Sequence, residues 1–419
     1  MSTRKLKIGL LGCGTVGGGL VELVAKNSAL IRERAGVELG ITKILVRDPV
    51  KERPGVDRAL LTTEPDKVLN NGCDLVVELV GGIEPARDFI QRSLFAGKHV
   101  VTANKALLAL DGFTLLHAAE KQKRRLGFEA SVCGAIPIIR SLRNGLVGNR
   151  IQSITGILNG TCNYILTRMT EDGIDVDTAL ADAQARGFAE ADPSLDVDGH
   201  DAAQKLKILA ELALSARLSV DAIEAEGIRD INADDIRTAK QLGYVIKHVA
   251  TAEVKGDAVS LQVRPMLLPR DHQLAAVRDE NNAVLVRGDA VGEMLFCGKG
   301  AGSLPSASAV LSDIVDIACH RGGFSAAPQQ SLPVTSSDQQ CKHYVRVPVA
   351  DPSAIGVITS VLERSGIGVT RASAQWARKA AGVHQVQVFT TPASSQNVRR
   401  CMQDCADLST GKPVILPAA

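Results

Sequence analysis

Short apolar runs alternate with amphipathic stretches through the first third of the chain. Leu6–Leu11 is apolar and runs straight into Gly12; Gly40–Val46, Cys73–Val80 and Lys98–Thr102 repeat the pattern, with amphipathic Arg87–Ala96 among them. This alternation predicts a parallel sheet covered by helices, and the nearly unbroken apolar character of Leu75–Val80 predicts a strand buried on both faces. From about Gly134 the texture changes. Ile151–Leu158 and Val259–Arg264 read as strands of a second, mixed sheet, separated by helical patterns at Val176–Arg186, Ala202–Ala213 and Asp234–Gly243. Gly298–Cys319, glycine-rich and then helical, predicts a return of the chain to the first domain. Ala327–Gln340 is rich in Ser, Pro and Gln without periodicity and reads as a linker. Beyond it, strand patterns at His343–Val349, Gly368–Gln375, His384–Thr390 and Pro413–Leu416 enclose helices at Ala354–Ser365 and Ser394–Leu408. That βαββαβ order builds a ferredoxin-like module of about 75 residues. The predicted organisation is therefore residues 1–135 plus about 298–325 as the first domain, 136–297 as the second, 326–340 as the linker and 341–419 as the C-terminal module.

The chain's 419 residues are enough for two or three such domains. Aromatics are only 3% of the sequence, so the cores must rest on Val, Leu, Ile and Ala. A net charge of +2, with Lys and Arg spread along the chain, points away from a nucleic-acid groove or a polybasic membrane patch. The basic N-terminus leads into a run broken at once by glycines, the wrong composition for a signal peptide or a membrane span, so a cytoplasmic location is expected. The nine cysteines are scattered and form no CxxC pair, as expected of small buried hydrophobes in a reducing compartment.

The sharpest local signal is Gly12-Cys13-Gly14-Thr15-Val16-Gly17, directly after an apolar strand and before a helix marked by Val16, Leu20, Leu23 and Val24. In a Rossmann-type, doubly wound sheet, Gly12 permits the tight turn, Gly14 admits the pyrophosphate and Gly17 allows close helix–strand packing, while the helix N-terminus offers its N–H groups to the anion. The second strand ends Val46-Arg47-Asp48. A carboxylate there suits the ribose 2′-hydroxyl of NAD and an arginine the 2′-phosphate of NADP. Arg47 comes first, with Lys51 and Arg53 following, which favours NADP and leaves NAD possible through Asp48. Gly81-Gly82 and Thr102-Ala103-Asn104-Lys105 also fall at carboxyl ends of parallel strands, where open α/β sheets bind ligands.

The segment from Gly187 to Lys205 is unusual. Asp201 and Lys205 lie four apart at the start of an apolar-striped helix and so share a face. Glu190, Asp192 and Asp196 lie in the irregular loop before it. Carboxylates around one lysine can hold an α-amino group and set an ammonium beside a carbonyl. Burial lowers the lysine's pKa and nearby carboxylates raise it, and the pattern leaves that balance open. The turn Gly298-Lys299-Gly300-Ala301-Gly302 feeds a helix and can touch a cofactor or substrate through its backbone N–H groups.

Taken together, the chain resembles the homoserine dehydrogenases. The resembling stretches are Gly9–Leu20, Val77–Ala86, Val101–Ala109, Phe128–Ile139, Gly156–Leu166, Gly187–Ala210 and Gly298–Val310, in family order over about three quarters of the chain. The resemblance implies a cytoplasmic oxidoreductase of threonine, methionine and isoleucine biosynthesis that reduces L-aspartate 4-semialdehyde to L-homoserine by direct hydride transfer. It implies Lys205 as proton donor, assisted by Lys105 and oriented by Asp201, and Glu190 and Asp196 as groups holding the substrate's amino end. It places the cofactor at Gly12, Gly14, Thr15, Val16, Gly17, Arg47, Lys105 and Gly302, and a monovalent cation such as sodium at Glu129, Val132, Gly134 and Ile136. The second domain becomes catalytic and dimerising, in a homodimer or homotetramer. The C-terminal module resembles an ACT regulatory domain, although the usual Asp-x-Pro-Gly reads Asp351-Pro352-Ser353-Ala354 here; Ala354 in place of glycine should weaken effector binding. A catalytically silent amino-acid-sensing regulator on the same frame is the rival, and retention of Lys105 and Lys205 argues against it.

Overall fold

The computed structural model describes residues 4–320, 330–335, 338, 340–377 and 383–419. The first sheet has six strands, all parallel, in the spatial order Leu61–Thr62, Val37–Leu45, Arg4–Leu11, Leu75–Glu78, His99–Thr102, Leu126–Gly127. This is the doubly wound order, and Arg4–Leu11 stands where the winding reverses, so the crevice opens at its carboxyl end, beside Gly12. Leu75–Glu78 is buried along its whole length, as its composition predicts. Helix Ser303–Ala318 packs on helix Thr15–Lys26, and its Ala307, Val310, Ile314 and Ile317 join the core under the sheet, which brings the chain back to the first domain.

The second sheet is mixed. Its main path runs Gly292–Lys299, Asn281–Gly288, Ile151–Ile157, Tyr244–Lys255, Ala258–Pro269, Val334–Thr335. The long hairpin from Tyr244 to Pro269 is in register throughout, and its second strand, Ala258–Pro269, is twice the length that the apolar run Val259–Arg264 marks in sequence. Gly298 and Lys299 still belong to a strand of this sheet, so the return to the first domain begins just after them. Within the segment read as a linker, Gln330–Ser331 and Val334–Thr335 are short parallel strands on Ala216–Arg217 and on the 258–269 strand. An edge offers ladder hydrogen bonds to a segment with no side-chain periodicity, which is why composition alone misread them. Residues 321–329, 336, 337 and 339, part of the predicted return and linker, lie outside the described residues.

The C-terminal module is antiparallel, ordered Val369–Trp376, His384–Thr390, His343–Val349, Val414–Pro417, with helices Ala354–Arg364 and Ser395–Asp404. This is the ferredoxin-like arrangement predicted from the βαββαβ pattern. No described helix is long and apolar enough to cross a membrane.

Candidate active site

The glycine loop is built by exclusion. Gly12 has φ +97°, and a Cβ there would lie 2.6 Å from the Leu79 carbonyl oxygen; a Cβ on Gly17 would lie 2.5 Å from that of Gly12. Gly14 faces open space and caps the helix at Thr15–Lys26 without a side-chain bond, which leaves the helix N-terminus free to meet an anion. Gly302, φ +126°, starts the returning helix, and Ser303 Oγ donates to the Thr15 carbonyl at 2.8 Å, locking that helix beside Thr15 and Val16. Arg47 is exposed at the rim. Asp48 turns inward on its own loop, its Oδ1 accepting from the N–H of Val50 at 2.8 Å and of Lys51 at 3.3 Å. Arg53 donates from Nε to the Cys13 carbonyl at 3.1 Å, so its guanidinium buttresses the loop.

At the neighbouring strand ends, fully buried Glu78 accepts from Val80 and Gly81 N–H at 2.8 and 3.1 Å and from Thr102 Oγ1 at 2.5 Å. Asn104 caps the next helix by accepting from Leu107 N–H and donates to the Gly82 carbonyl at 2.6 Å. Lys105 is thereby the first residue of a fixed helix, the natural place for a side chain that must reach outward.

It reaches Asp201. Helix His200–Leu214 begins at Gly199, whose φ of +90° suits glycine, and puts Asp201 in its first turn, where the helix dipole favours a carboxylate. Lys205 Nζ lies 2.7 Å from Asp201 Oδ2 and 2.8 Å from the Leu158 carbonyl, and Lys105 Nζ lies 3.1 Å from Asp201 Oδ1. Asn159 caps helix Gly160–Asp172 through its Oδ1, and its Nδ2 donates both to Asp201 Oδ2 at 2.8 Å and to Asp196 Oδ1 at 2.6 Å. Thr161 Oγ1 adds a contact to Asp196 Oδ2 at 3.3 Å. Asn282 donates from Nδ2 to the same Leu158 carbonyl at 2.8 Å.

The charges follow from burial. Burial works against the Asp201 anion, but Lys205 and Lys105 beside it hold its pKa at about 2. Burial likewise works against the Lys205 ammonium, and Asp201, with a smaller share from Asp196, outweighs it and raises the pKa above the ordinary lysine value. Asp196 is pushed up, first by burial and then by the neighbouring Asp201 charge.

Lys105, Asp196, Asp201 and Lys205 are therefore brought together, from three separate segments. Glu190 is exposed in the preceding loop; its backbone carbonyl accepts from Gln184 Nε2 at 3.0 Å. Asn159, Asn282 and the Leu158 carbonyl were not singled out from sequence. Asn159 had a readable signal, an Asn directly before an apolar helix. Asn282 had none, since only strand register brings it here: it pairs with Gly298, and a Cβ on Gly300 would lie 2.0 Å from its Oδ1.

Glu129 is buried, with its two carboxylate oxygens accepting from the N–H groups of Ile139 and Arg140 at 2.8 Å each. Val132, Gly134 and Ile136 follow on an irregular turn in which Cys133 and Gly134 have φ of +55° and +47°. A Cβ on Gly134 would lie 2.6 Å from the Gly300 carbonyl oxygen, so this turn is packed against the segment that crosses between the domains.

A doubly wound sheet with a glycine cradle, facing a lysine ion-paired to a buried aspartate, defines the class: a nicotinamide-nucleotide-binding oxidoreductase. Two family models match the chain, that for homoserine dehydrogenase over residues 137–315 and that for the homoserine dehydrogenase NAD-binding domain over 12–129. The Bacillus subtilis homoserine dehydrogenase is 40% identical over 373 residues, which covers 87% of this chain and 86% of that protein. The solved structure of a homoserine dehydrogenase from Thiobacillus denitrificans superposes with a TM-score of 0.89 at 36% identity, covering 99% of this chain and 98% of that one. A hyperthermophilic archaeal homoserine dehydrogenase solved with NADPH superposes with a TM-score of 0.66 at 29% identity, over 77% of this chain and all of that one. The chain belongs to the homoserine dehydrogenase family.

Proposed function

We propose that the chain catalyses the reversible reduction of L-aspartate 4-semialdehyde to L-homoserine with NADP(H), and that Lys205 carries the proton. The observation that bears this reading is the bonding of Lys205. An ammonium has three donors, and two of them are committed to Asp201 and the Leu158 carbonyl. The third is left for a substrate oxygen, at a fixed position and in a protonated state that Asp201 sustains.

The bound nicotinamide supplies the hydride in reduction and accepts it in oxidation. In reduction, Lys205 stabilises the developing alkoxide and protonates it; in oxidation, neutral Lys205 takes the hydroxyl proton. Lys105 adds a second positive charge at the same carboxylate. Asp196, aligned by Asn159 and Thr161, is positioned for the substrate ammonium, and Glu190 is the second candidate for that group from the loop. Gly12, Gly14, Thr15, Val16, Gly17 and Gly302 would hold the nucleotide. Arg47 reads its 2′-phosphate, a preference supported by the engagement of Asp48 in its own turn and by the NADPH-bound archaeal relative.

A monovalent cation fits Glu129, Val132, Gly134 and Ile136: a buried carboxylate on an irregular turn is an oxygen-donor set suited to a hard ion. Held there, it would stiffen the turn against Gly300. A homodimer or homotetramer is supported by the edge strand Gly292–Lys299, which leaves Leu295 exposed. The expected location is the cytoplasm. Homoserine-dependent reduction of NADP by the purified protein at alkaline pH, followed by nicotinamide absorbance, tests the function. Robust turnover is expected; a folded, NADP-binding protein without turnover would turn the reading to the silent regulator.

A further inference from the structure

Segment Glu224–Ile231 lies between the substrate loop and the C-terminal module and is bonded to both. On the loop side, Ile228 N–H donates to the Val197 carbonyl at 2.8 Å. Arg229 is bonded to Asp198, Nε to Oδ1 at 2.5 Å and Nη2 to Oδ2 at 3.2 Å, and its Nη2 also reaches Ser194 Oγ at 3.0 Å. Gly227 is pressed on the loop so closely that a Cβ would lie 2.2 Å from the Val197 carbonyl oxygen. Buried His248 bonds the Glu226 carbonyl through Nε2 at 3.0 Å, and a Cβ on Gly199 would lie 3.3 Å from that nitrogen. A carbonyl only accepts, so Nε2 carries the proton; burial, opposed by the Glu226 bond, keeps the ring neutral with a pKa of about 4.

On the module side, Arg346 Nη2 donates to the Asp230 carbonyl at 2.6 Å, and Lys412 Nζ to Asp230 Oδ2 at 2.7 Å. Arg399 pairs with Glu226. Arg346 Nε and Tyr344 OH both donate to Asp235 Oδ1, at 2.8 and 2.7 Å. Ile228 and Ile231, both buried, share one apolar cluster with Tyr344, Val414 and Leu416 of the module. Around these bonds lies a cavity of about 380 Å3 lined by Asp198, Glu226, Arg229 and Lys412 among others. The three parts thus share one apolar cluster, which also takes in Val197 of the loop, and are joined beside the opening by discrete polar bonds.

We propose that segment 224–231 is a positioning element for substrate binding. The C-terminal module holds the segment, and the segment holds the loop 194–200, which carries Asp196 and sets the start of the Asp201–Lys205 helix. Arg346, Arg229 and His248 are the positioning residues, and none of them contacts the proton-transfer lysine. The assignment of Asp196 to substrate rests on the function proposed above; the mechanical link does not.

The test uses the full-length protein with two readouts. In Arg346→Gln, amide hydrogen exchange of residues 194–200 is expected to accelerate while that of helix Thr15–Lys26 stays native. KM for homoserine is expected to rise about 3- to 10-fold, the scale of the net contribution of one ordinary hydrogen bond, with KM for NADP unchanged. Arg346→Lys should restore part of both. If Arg346→Gln does not fold, the double variant Arg399→Ala/Lys412→Ala, at exposed positions, gives the same comparison. Native exchange at 194–200 in a variant whose module has loosened would overturn the proposal. So would equal shifts in both KM values. Because exchange needs no turnover, a failure of the functional reading would be seen separately from a failure of the link.

Discussion

The glycine cradle and the pocket proposed for proton transfer are made in opposite ways. The cradle is local: Gly12, Gly14 and Gly17 fall within six residues, Gly12 and Gly17 acting by lacking a Cβ that their neighbours would meet and Gly14 facing open space. The pocket is assembled from distant parts. Lys105 comes from the first domain, Leu158 and Asn159 from a strand end, Asp196, Asp201 and Lys205 from a loop and helix, and Asn282 from a hairpin. A cradle built from backbone tolerates many side chains nearby and none at Gly12 or Gly17. A pocket built from charges depends on every partner, because a buried ion without its counterion is costly. Substitutions should therefore separate the two regions by what they damage: cofactor affinity in one, turnover and acid stability in the other.

The largest effect is expected from Asp201→Ala, which leaves two lysines facing a buried gap. Breaking a buried pair costs about 3–5 kcal/mol, and a fall in the denaturation midpoint together with near-complete loss of turnover should be seen by urea titration and assay. Next is Gly12→Ala, which forces a left-handed φ and a contact with Leu79; about 1–3 kcal/mol of strain should appear as weakened NADP binding by fluorescence titration. If Gly12→Ala instead spared the cofactor and lowered turnover, the separation between regions would break.

How far each region was legible follows from the same contrast. The cradle, the strands of the parallel sheet and the C-terminal module follow local patterns, and His343–Val349 and His384–Thr390 form over the very residues read from sequence. The Asp201–Lys205 pair was legible because both sit on one helix face. The bridge from Lys105 to Asp201, the shared Leu158 carbonyl and the place of Asn282 depend on which strands pair, and no local period encodes that. The strands at 330–335 escaped for a related reason, since an edge supplies their partners.

A smaller effect sharpens the comparison. Asn159→Ala removes a helix cap and the amide that aligns two carboxylates, about 1 kcal/mol from the cap alone, and KM for homoserine should rise more than KM for NADP. The pH dependence has a defined sign. Asp201, held at about 2, stabilises the fold fully above the unfolded aspartate value and loses that contribution as pH falls through its folded pKa. Lys205, raised above its ordinary value, contributes fully below that value and loses its share only as pH rises through the folded pKa. Acid titration of the fold in Asp201→Asn should therefore show a flatter loss than the parent. The smallest effect is Arg47→Ala, at an exposed position; NADP affinity should drop by about tenfold or less with NAD unchanged, measured by parallel titrations.

The most direct measurement is turnover and NADP dissociation constant on the same preparation of Lys205→Ala. Removal of the group proposed to transfer the proton should cost about 10²–10⁴ in kcat and leave NADP binding within error of the parent. Retained turnover in that variant would contradict the assignment of proton transfer to Lys205.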